Sequence, residues 1–272
     1  MKPDYISEPD WIILTKKYPN TEELLDKLTN YPPQYLIGNV DFYGSIINVD
    51  ERVLIPRYET ELLVDKTIKY AQRIFTNKIN IIDLGTGSGC IAISLKKNLD
   101  CNLTALDISE DALSLAKTNA QLNNTEITFI NKSMTDSLTN NYDIIISNPP
   151  YIPYDGFVEK KVKNNEPNIA LFAKDNGLYF YKEILNKHLD NLNSPGIMAF
   201  EIGDNQKELL EPLVKELNLK YSFENDFQGL PRYLFIFFWI NNYYSSHHLF
   251  KVITYEKNNS MSIYSNSFSF SK

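Results

Sequence analysis

The stretch IIISNPPYIP, residues 144–153, contains residues whose types and order could do chemistry. Three isoleucines predict a buried strand that runs directly into Asn148, Pro149, Pro150 and Tyr151. The prolines have no N–H and a fixed φ, so they end the strand and hold the backbone rigid. The Asn148 side chain and the backbone carbonyls are therefore left free at the carboxyl end of a strand, where open α/β sheets bind ligands.

A glycine-rich turn, DLGTGSG, gives a second chemical signal between a predicted strand and a predicted helix. Its glycines let the backbone approach a ligand closely and present N–H groups at a helix N-terminus. The turn departs from the dinucleotide fingerprint because position 90 is Cys, and it lacks the Lys-Ser/Thr pair of a P-loop. Asp107 ends the next predicted strand, where a carboxylate can accept both hydroxyls of a ribose.

The elements that must position these residues alternate between strand and helix. Hydrophobic periodicity predicts strands over INIIDLG, NLTALD, ITFI, YDIIIS and GIMAFEIG, followed by two further strands at the end of the domain. Between them it predicts helices over CIAISLKKNL, EDALSLAKTNAQL, GLYFYKEILNKHL and NQKELLEPLVKEL. This order predicts right-handed βαβ units in a parallel, doubly wound α/β sheet of about seven strands. The chemical signals then follow its first, second and fourth strands.

The residues upstream predict smaller elements. Leucines at helical spacing predict a helix over TEELLDKL, starting behind Thr21, and YPPQYLIG is expected to break any helix. The alternation around the glycine of VDFYGSIINVDERVLIP predicts a β-hairpin, and an amphipathic helix is expected from Glu59.

Composition limits the class of protein. A net charge of -7 and a pI near 5.1 argue against a chain that mainly neutralises phosphates, so no direct nucleic-acid partner is expected. Cys90 and Cys101 lie in apolar segments and predict buried, reduced thiols of a cytoplasmic protein. The N-terminus lacks the features of a signal peptide, and no stretch approaches the ~20 apolar residues of a membrane helix. We expect no metal site, because His247 and His248 have no Cys or Asp ligands beside them.

Three blocks, IIDLGTGSGCIAISL, ALDISEDALSLAKTNAQLNN and DIIISNPPYIP, together resemble the S-adenosylmethionine-dependent methyltransferases. YLIGNVDFYGSIINVDERVLIPRYETELLVD narrows the resemblance to the protein-(glutamine-N5) methyltransferases that modify peptide-chain release factors. NNEPNIALFAKDNGLYFYKEIL, EIGDNQ and DFQGLPRY extend it over roughly Tyr35 to Phe238. The resemblance implies an enzyme that methylates the glutamine amide of a Gly-Gly-Gln motif.

The sequence pattern, together with the resemblance, predicts an architecture. We expect a short helical cap over 1–33, a β-hairpin linker over 34–58, and a C-terminal extension over 239–272, the cap and the extension being departures from the family pattern. Residues 59–238 are expected to form a seven-stranded, Rossmann-like class I methyltransferase domain.

The resemblance assigns roles to residues in the two chemical signals. Those expected to bind S-adenosylmethionine are Asp83, Gly85, Thr86, Gly87, Ser88, Gly89, Asp107, Met134 and Asn148. Asn148, Pro149, Pro150 and Tyr151 are expected to hold the substrate amide. The Asn148 oxygen and the Pro149 carbonyl can accept both N–H groups of one NH₂, which orients a poorly nucleophilic nitrogen. Tyr151 can cover the planar group.

Departures from the family pattern leave alternatives open. Only about 33 residues precede the hairpin, which predicts a reduced or rearranged docking surface. Ser133 and Met134 replace an acidic and an aromatic residue, which predicts a looser adenine pocket. One alternative is methylation of an exocyclic base amine of DNA or RNA, which would present the same planar NH₂. The other is a cofactor-binding partner protein without catalysis.

Overall fold

The computed structural model describes residues 2–239, in which helices precede a hairpin and then alternate with strands. The helices are α1 (Glu8–Lys17), α2 (Thr21–Asn30), α3 (Pro33–Ile37), α4 (Tyr58–Ile74), α5 (Cys90–Asn98), α6 (Glu110–Leu122), α7 (Lys160–Asn165), α8 (Asn168–Leu171), α9 (Tyr179–His188) and α10 (Lys207–Glu216). The strands are β1 (Asn39–Phe42), β2 (Ser45–Asn48), β3 (Ile79–Leu84), β4 (Cys101–Asp107), β5 (Thr128–Asn131), β6 (Tyr142–Ser147), β7 (Ile152–Pro153), β8 (Phe172–Ala173), β9 (Leu192–Glu201), β10 (Lys220–Asn225) and β11 (Pro231–Phe238).

Seven strands form the central sheet in the order β10-β11-β9-β6-β3-β4-β5. Neighbouring strands from β9 to β5 are parallel, whereas β11 is antiparallel to both β9 and β10. Both faces of β3 are buried, which explains its continuous apolar run. Ile81 packs in the core that contains residues of α4, α5 and α6, and the next residue, Ile82, packs in the core that contains residues of α9 and α10. The predicted seven-stranded, doubly wound sheet is confirmed, but the predicted parallel pairing holds only for the five strands from β9 to β5.

The N-terminal helices differ from the sequence-based expectation in two details. Asn20, rather than Thr21, caps α2, because its side-chain oxygen accepts the N–H groups of the first turn. The segment YPPQYLIG was expected to break any helix, but it contains the short helix α3. Pro33 lies in the first turn, where a missing N–H removes no helical hydrogen bond, and Gly38 ends the helix at φ 99°. The N-terminal helices share a core of Ile6, Leu14, Leu24, Leu28 and Leu36.

The predicted hairpin is formed by β1 and β2. Tyr43 and Gly44 both have positive φ, which is the conformation of a tight two-residue turn whose twist suits paired strands. Buried Asn119 of α6 joins this hairpin to the glycine-rich turn. Its amide bonds both backbone groups of Asn48 and also donates to the Ser88 carbonyl at 2.9 Å.

Some expectations concern shorter elements or residues beyond 239. Neither α7 and α8 nor the β7–β8 pair was predicted, because elements of two to six residues carry no measurable periodicity. Within residues 2–239, none of the helices combines the length and apolarity needed to cross a bilayer. Apart from Trp239, the expected extension over 239–272, with His247 and His248, lies outside the described residues.

Candidate active site

Neighbouring strand ends bring the chemical signals together. Asp83 of β3 pairs with Ile146 of β6, so the glycine-rich turn and Asn148 leave the sheet side by side. The Ser147 hydroxyl donates to the Leu84 carbonyl at 2.6 Å and fixes these two strand ends against each other. Asp107 ends β4 on the other side of β3.

The glycine-rich turn needs its glycines for conformation and for space. Gly85, Gly87 and Gly89 have φ values of 76°, 54° and 83°, a region that strains other residues. A Cβ on Gly85 would come within 2.5 Å of the Met134 side chain. A Cβ on Gly87 would meet no atom within 4 Å, so this glycine borders open space.

Asp107 is held in place by backbone N–H groups. Its two carboxylate oxygens accept from the N–H of Gly87 and of Ser109, each at 2.9 Å. Burial raises the pKa of Asp107, and these hydrogen bonds oppose that rise. Each carboxylate oxygen retains a further lone pair for a ligand's hydroxyl group.

One open cavity contains part of the predicted site. Of the predicted residues, its lining includes Gly85, Gly87, Asp107, Met134, Asn148 and Pro150. Those outside the lining are Asp83, Thr86, Ser88, Gly89, Pro149 and Tyr151. Lining residues that sequence analysis did not select include Arg52, Leu54, Leu106, Ile108, Ile169 and Phe180. The apolar side chains among them, those of Leu54, Leu106, Ile108, Ile169 and Phe180, could hold a flat ring beside the polar Asp107.

Asp83 stabilises the glycine-rich turn through Thr86. It is fully buried and accepts the Thr86 hydroxyl at 2.6 Å. Burial raises its pKa to about 7, because the charged carboxylate loses its hydration.

Asn148 belongs to a chain of hydrogen bonds that becomes fully buried at Thr60 and Glu201. Its side-chain nitrogen donates to the Thr60 hydroxyl oxygen at 3.1 Å, and Thr60 donates to a Glu201 carboxylate oxygen at 2.7 Å. The Tyr151 hydroxyl donates to the other Glu201 oxygen at 3.3 Å. Thr60 and Glu201 are 3% and 2% exposed, and burial raises the pKa of Glu201 to about 7. Sequence analysis missed both residues, although their blocks, LIPRYETE and EIGDNQ, were part of the resemblance.

The EIGDNQ block also holds Tyr151 in place. Gln206 donates its side-chain N–H to the Tyr151 carbonyl at 3.0 Å. A Cβ on Gly203 would approach the Tyr151 ring to 2.8 Å, and one on Gly177 would approach its carbonyl oxygen to 2.1 Å. Tyr151 therefore packs where only glycines leave room.

Glu166 joins two segments that border the cavity. Its buried carboxylate accepts the Ile55 N–H at 3.1 Å and forms an ion pair with Arg57 at 2.6 Å. Pro167, the next residue, lines the cavity. This ion pair thus connects the segment before α4 to the segment before α8. Helix α4 itself carries Thr60.

The cysteines play no part in this arrangement. Cys90 and Cys101 are buried and unpaired, as predicted, and burial raises the pKa of Cys90 to about 12. Such a thiol is a poor nucleophile at neutral pH. Within residues 2–239, no three His, Cys, Asp or Glu side chains form a group that could hold a metal ion.

Comparison with known proteins identifies the class first. The family model "Methyltransferase small domain" matches residues 59–165. A methyltransferase from Pyrococcus furiosus has the same fold, with a TM-score of 0.55 and 17% identity over 82% of this chain and 98% of that one. The fold, the site and these matches define a class I methyltransferase.

Two relatives narrow the class to a family. The release factor glutamine methyltransferase of Flavobacterium psychrophilum is 41% identical over 234 residues, 82% of this chain and 79% of the relative. The protein of the same name from Lactococcus lactis subsp. lactis is 40% identical over 190 residues, 69% of each chain. This chain belongs to the release factor glutamine methyltransferase family.

Proposed function

We propose that this protein transfers a methyl group from S-adenosylmethionine to the side-chain amide nitrogen of the Gly-Gly-Gln glutamine of a peptide-chain release factor. The observation that carries the proposal is that Asn148 lines the same cavity as Asp107 and the glycine-rich turn. A group that accepts amide N–H bonds thus lies beside a carboxylate suited to a ribose. Membership of the family supports the choice of a protein amide as substrate.

The cofactor half of this site would consist of the predicted residues Gly85, Gly87, Asp107 and Met134, which line the cavity, together with Ile108 and Phe180. Asp107 would accept the ribose hydroxyls, and the open side of Gly87 leaves room for close backbone approach. Met134, Ile108 and Phe180 would enclose the adenine. Phe180 of α9 would thus provide the aromatic ring that position 134 lacks. Asp83 would act indirectly, by holding Thr86.

The acceptor half would orient the glutamine amide. The Asn148 side-chain oxygen and the Pro149 carbonyl would accept its two N–H groups, and Tyr151 would cover its flat face. When bound, S-adenosylmethionine would supply the methyl group of a sulfonium for transfer to the amide nitrogen, with the electron pair of the C–S bond left on sulfur and one N–H proton lost to water. Positive charge would grow on the nitrogen, so the two acceptor oxygens would bind the transition state more strongly than the ground state.

Methyl transfer to intact release factor, followed by mass spectrometry of the Gly-Gly-Gln peptide, tests the proposal. A factor changed to Gly-Gly-Glu should accept no methyl group, because a carboxylate has no N–H and would be repelled by the acceptor oxygens. A short Gly-Gly-Gln peptide should be a poor substrate, since remote contacts contribute to transition-state binding. Comparable methylation of DNA or RNA would instead support the base-amine alternative. Cofactor binding without transfer would support the non-catalytic one.

We further propose the domain limits given by the sequence, with 59–238 as the catalytic domain. The side chain of Trp239 packs against the core, so a truncated chain should end there. We expect this truncation to leave the rate of methyl transfer unchanged. A large loss of activity would place part of the catalytic domain after residue 239.

A further inference from the structure

We propose that Thr60 and Glu201 are positioning residues that fix the orientation of the Asn148 amide, so that its oxygen faces the acceptor nitrogen. This inference rests on the proposed function, because it explains how an asparagine side chain is restricted to accepting hydrogen bonds from the substrate. An asparagine amide has an oxygen and an NH₂ group of nearly the same size. Rotation by 180° would present the NH₂ to the substrate, and two N–H groups would then oppose each other.

The hydroxyl proton of Thr60 decides between these orientations. A threonine hydroxyl has one proton and can also accept. Thr60 lies 2.7 Å from a Glu201 carboxylate oxygen, which can only accept when it is ionised, so the proton is directed there. Towards Asn148, at 3.1 Å, Thr60 is left with lone pairs alone. The Asn148 NH₂ must face Thr60, and the Asn148 oxygen must face away from it.

The burial of Thr60 and Glu201 makes the wrong orientation of the Asn148 amide costly. Thr60 and Glu201 are almost inaccessible to water, so water cannot replace a lost partner at low cost. The Tyr151 hydroxyl donates to the second carboxylate oxygen of Glu201, which leaves the carboxylate with donors on both sides. The same carboxylate therefore positions both Asn148, through Thr60, and the Tyr151 ring.

The protonation state of Glu201 should control the orientation. A protonated Glu201 can donate its own proton to Thr60, which frees the Thr60 hydroxyl to donate to Asn148 and permits the wrong rotamer. Burial favours this protonated form, whereas the Thr60 hydrogen bond and the positive charge of Arg232 favour the ionised one. The titratable groups that influence this region from the surrounding elements are Glu59, Cys90, Tyr151, Tyr181, Arg232 and Tyr233.

Substitution of Thr60 provides the first test, with methyl transfer to release factor as the assay. Thr60→Val keeps the shape and removes the hydroxyl, and we expect kcat to fall at least tenfold with the affinity for S-adenosylmethionine unchanged. Thr60→Ser restores the hydroxyl and should recover kcat to within about threefold of the wild type. The matched control is Thr67→Val on the same helix, because the Thr67 hydroxyl is also buried but bonds only the Leu63 carbonyl, at 2.7 Å. It should leave kcat unchanged.

The pH profile provides the second test. We expect kcat of the wild type to rise with pH through the region near 7, as Glu201 ionises, and Glu201→Gln to lower kcat and remove that limb. The role is rejected if Thr60→Val and Thr67→Val have the same kcat, or if the limb persists in Glu201→Gln. A wild-type protein that binds cofactor but methylates no release factor would instead reject the proposed function itself, and the positioning role with it.

Discussion

The two halves of the site are built in different ways. In the cofactor half, Asp107 contacts the backbone N–H of Gly87, 20 residues away in sequence. In the acceptor half, side chains bond side chains across long separations: Thr60 lies 88 residues from Asn148 and 141 from Glu201. The glycine-rich turn and Asp107 of the cofactor half thus belong to one βαβ unit, whereas the acceptor half exists only after α4, β6 and β9 have packed together.

The largest expected effect separates chemistry from cofactor binding. Asn148→Ala should lower turnover roughly a hundredfold or more, because a positioned acceptor acts mainly in the transition state. Cofactor affinity should stay within about a factor of three, since other residues provide most of that cavity. Steady-state kinetics and calorimetry measure the two quantities, with exposed Asn102→Ala at the opposite end of the sheet as the control. Equal losses in both would make Asn148 a structural residue.

The matching experiment in the cofactor half should show the reverse pattern. Asp107→Ala should weaken S-adenosylmethionine binding by about 1.5–3 kcal/mol, the usual contribution of hydrogen bonds to a charged group. At saturating cofactor, turnover should recover most of the wild-type value. If calorimetry finds an unchanged affinity, Asp107 does not belong to the cofactor half, and the two halves do not differ in the way described.

Each half also contains one buried acid, which makes stability depend on pH. Asp83 and Glu201 both have a pKa raised to about 7 by burial, so the folded state holds their protons more tightly than the unfolded state. Their stabilising effect is complete below about pH 4 and is lost as pH rises through 7. From pH 5 to 8, the free energy of unfolding should fall by about 2 kcal/mol for each group.

Urea denaturation of Asp83→Asn and Glu201→Gln tests this dependence, because neither variant can ionise. Each should have a flatter pH dependence than the wild type, and the double variant should be flatter still. If the free energy of unfolding of one variant depends on pH as strongly as that of the wild type, burial raises the pKa of the acid in the other half only.

The contrast between the halves explains what could be predicted from the sequence. Runs such as Ile144–Ile146 are buried on both faces, and local composition is enough to predict such strands. The glycine-rich turn and Asp107 follow from the same local pattern. Thr60 stands in the first turn of a helix as Thr21 does, and only the packing of distant segments brings the Thr60 hydroxyl to Glu201. Arg57 and Glu166, 109 residues apart, were missed for the same reason.

The smallest expected effect concerns the adenine side of the cofactor half, where Met134 predicts a loose pocket and Phe180 lines the same cavity. An aromatic ring beside a flat ligand contributes about 0.5–1.5 kcal/mol beyond its buried area. Phe180→Leu keeps most of the apolar volume and removes the ring, so the dissociation constant for S-adenosylmethionine should rise about twofold to tenfold. Phe227→Leu is the control, because Phe227 is 70% exposed and lies outside the cavity lining. Calorimetry should show no change there. If Phe180→Leu binds as tightly as the wild type, the other apolar residues of the cavity are sufficient for the adenine, and α9 contributes nothing to the recognition of the cofactor.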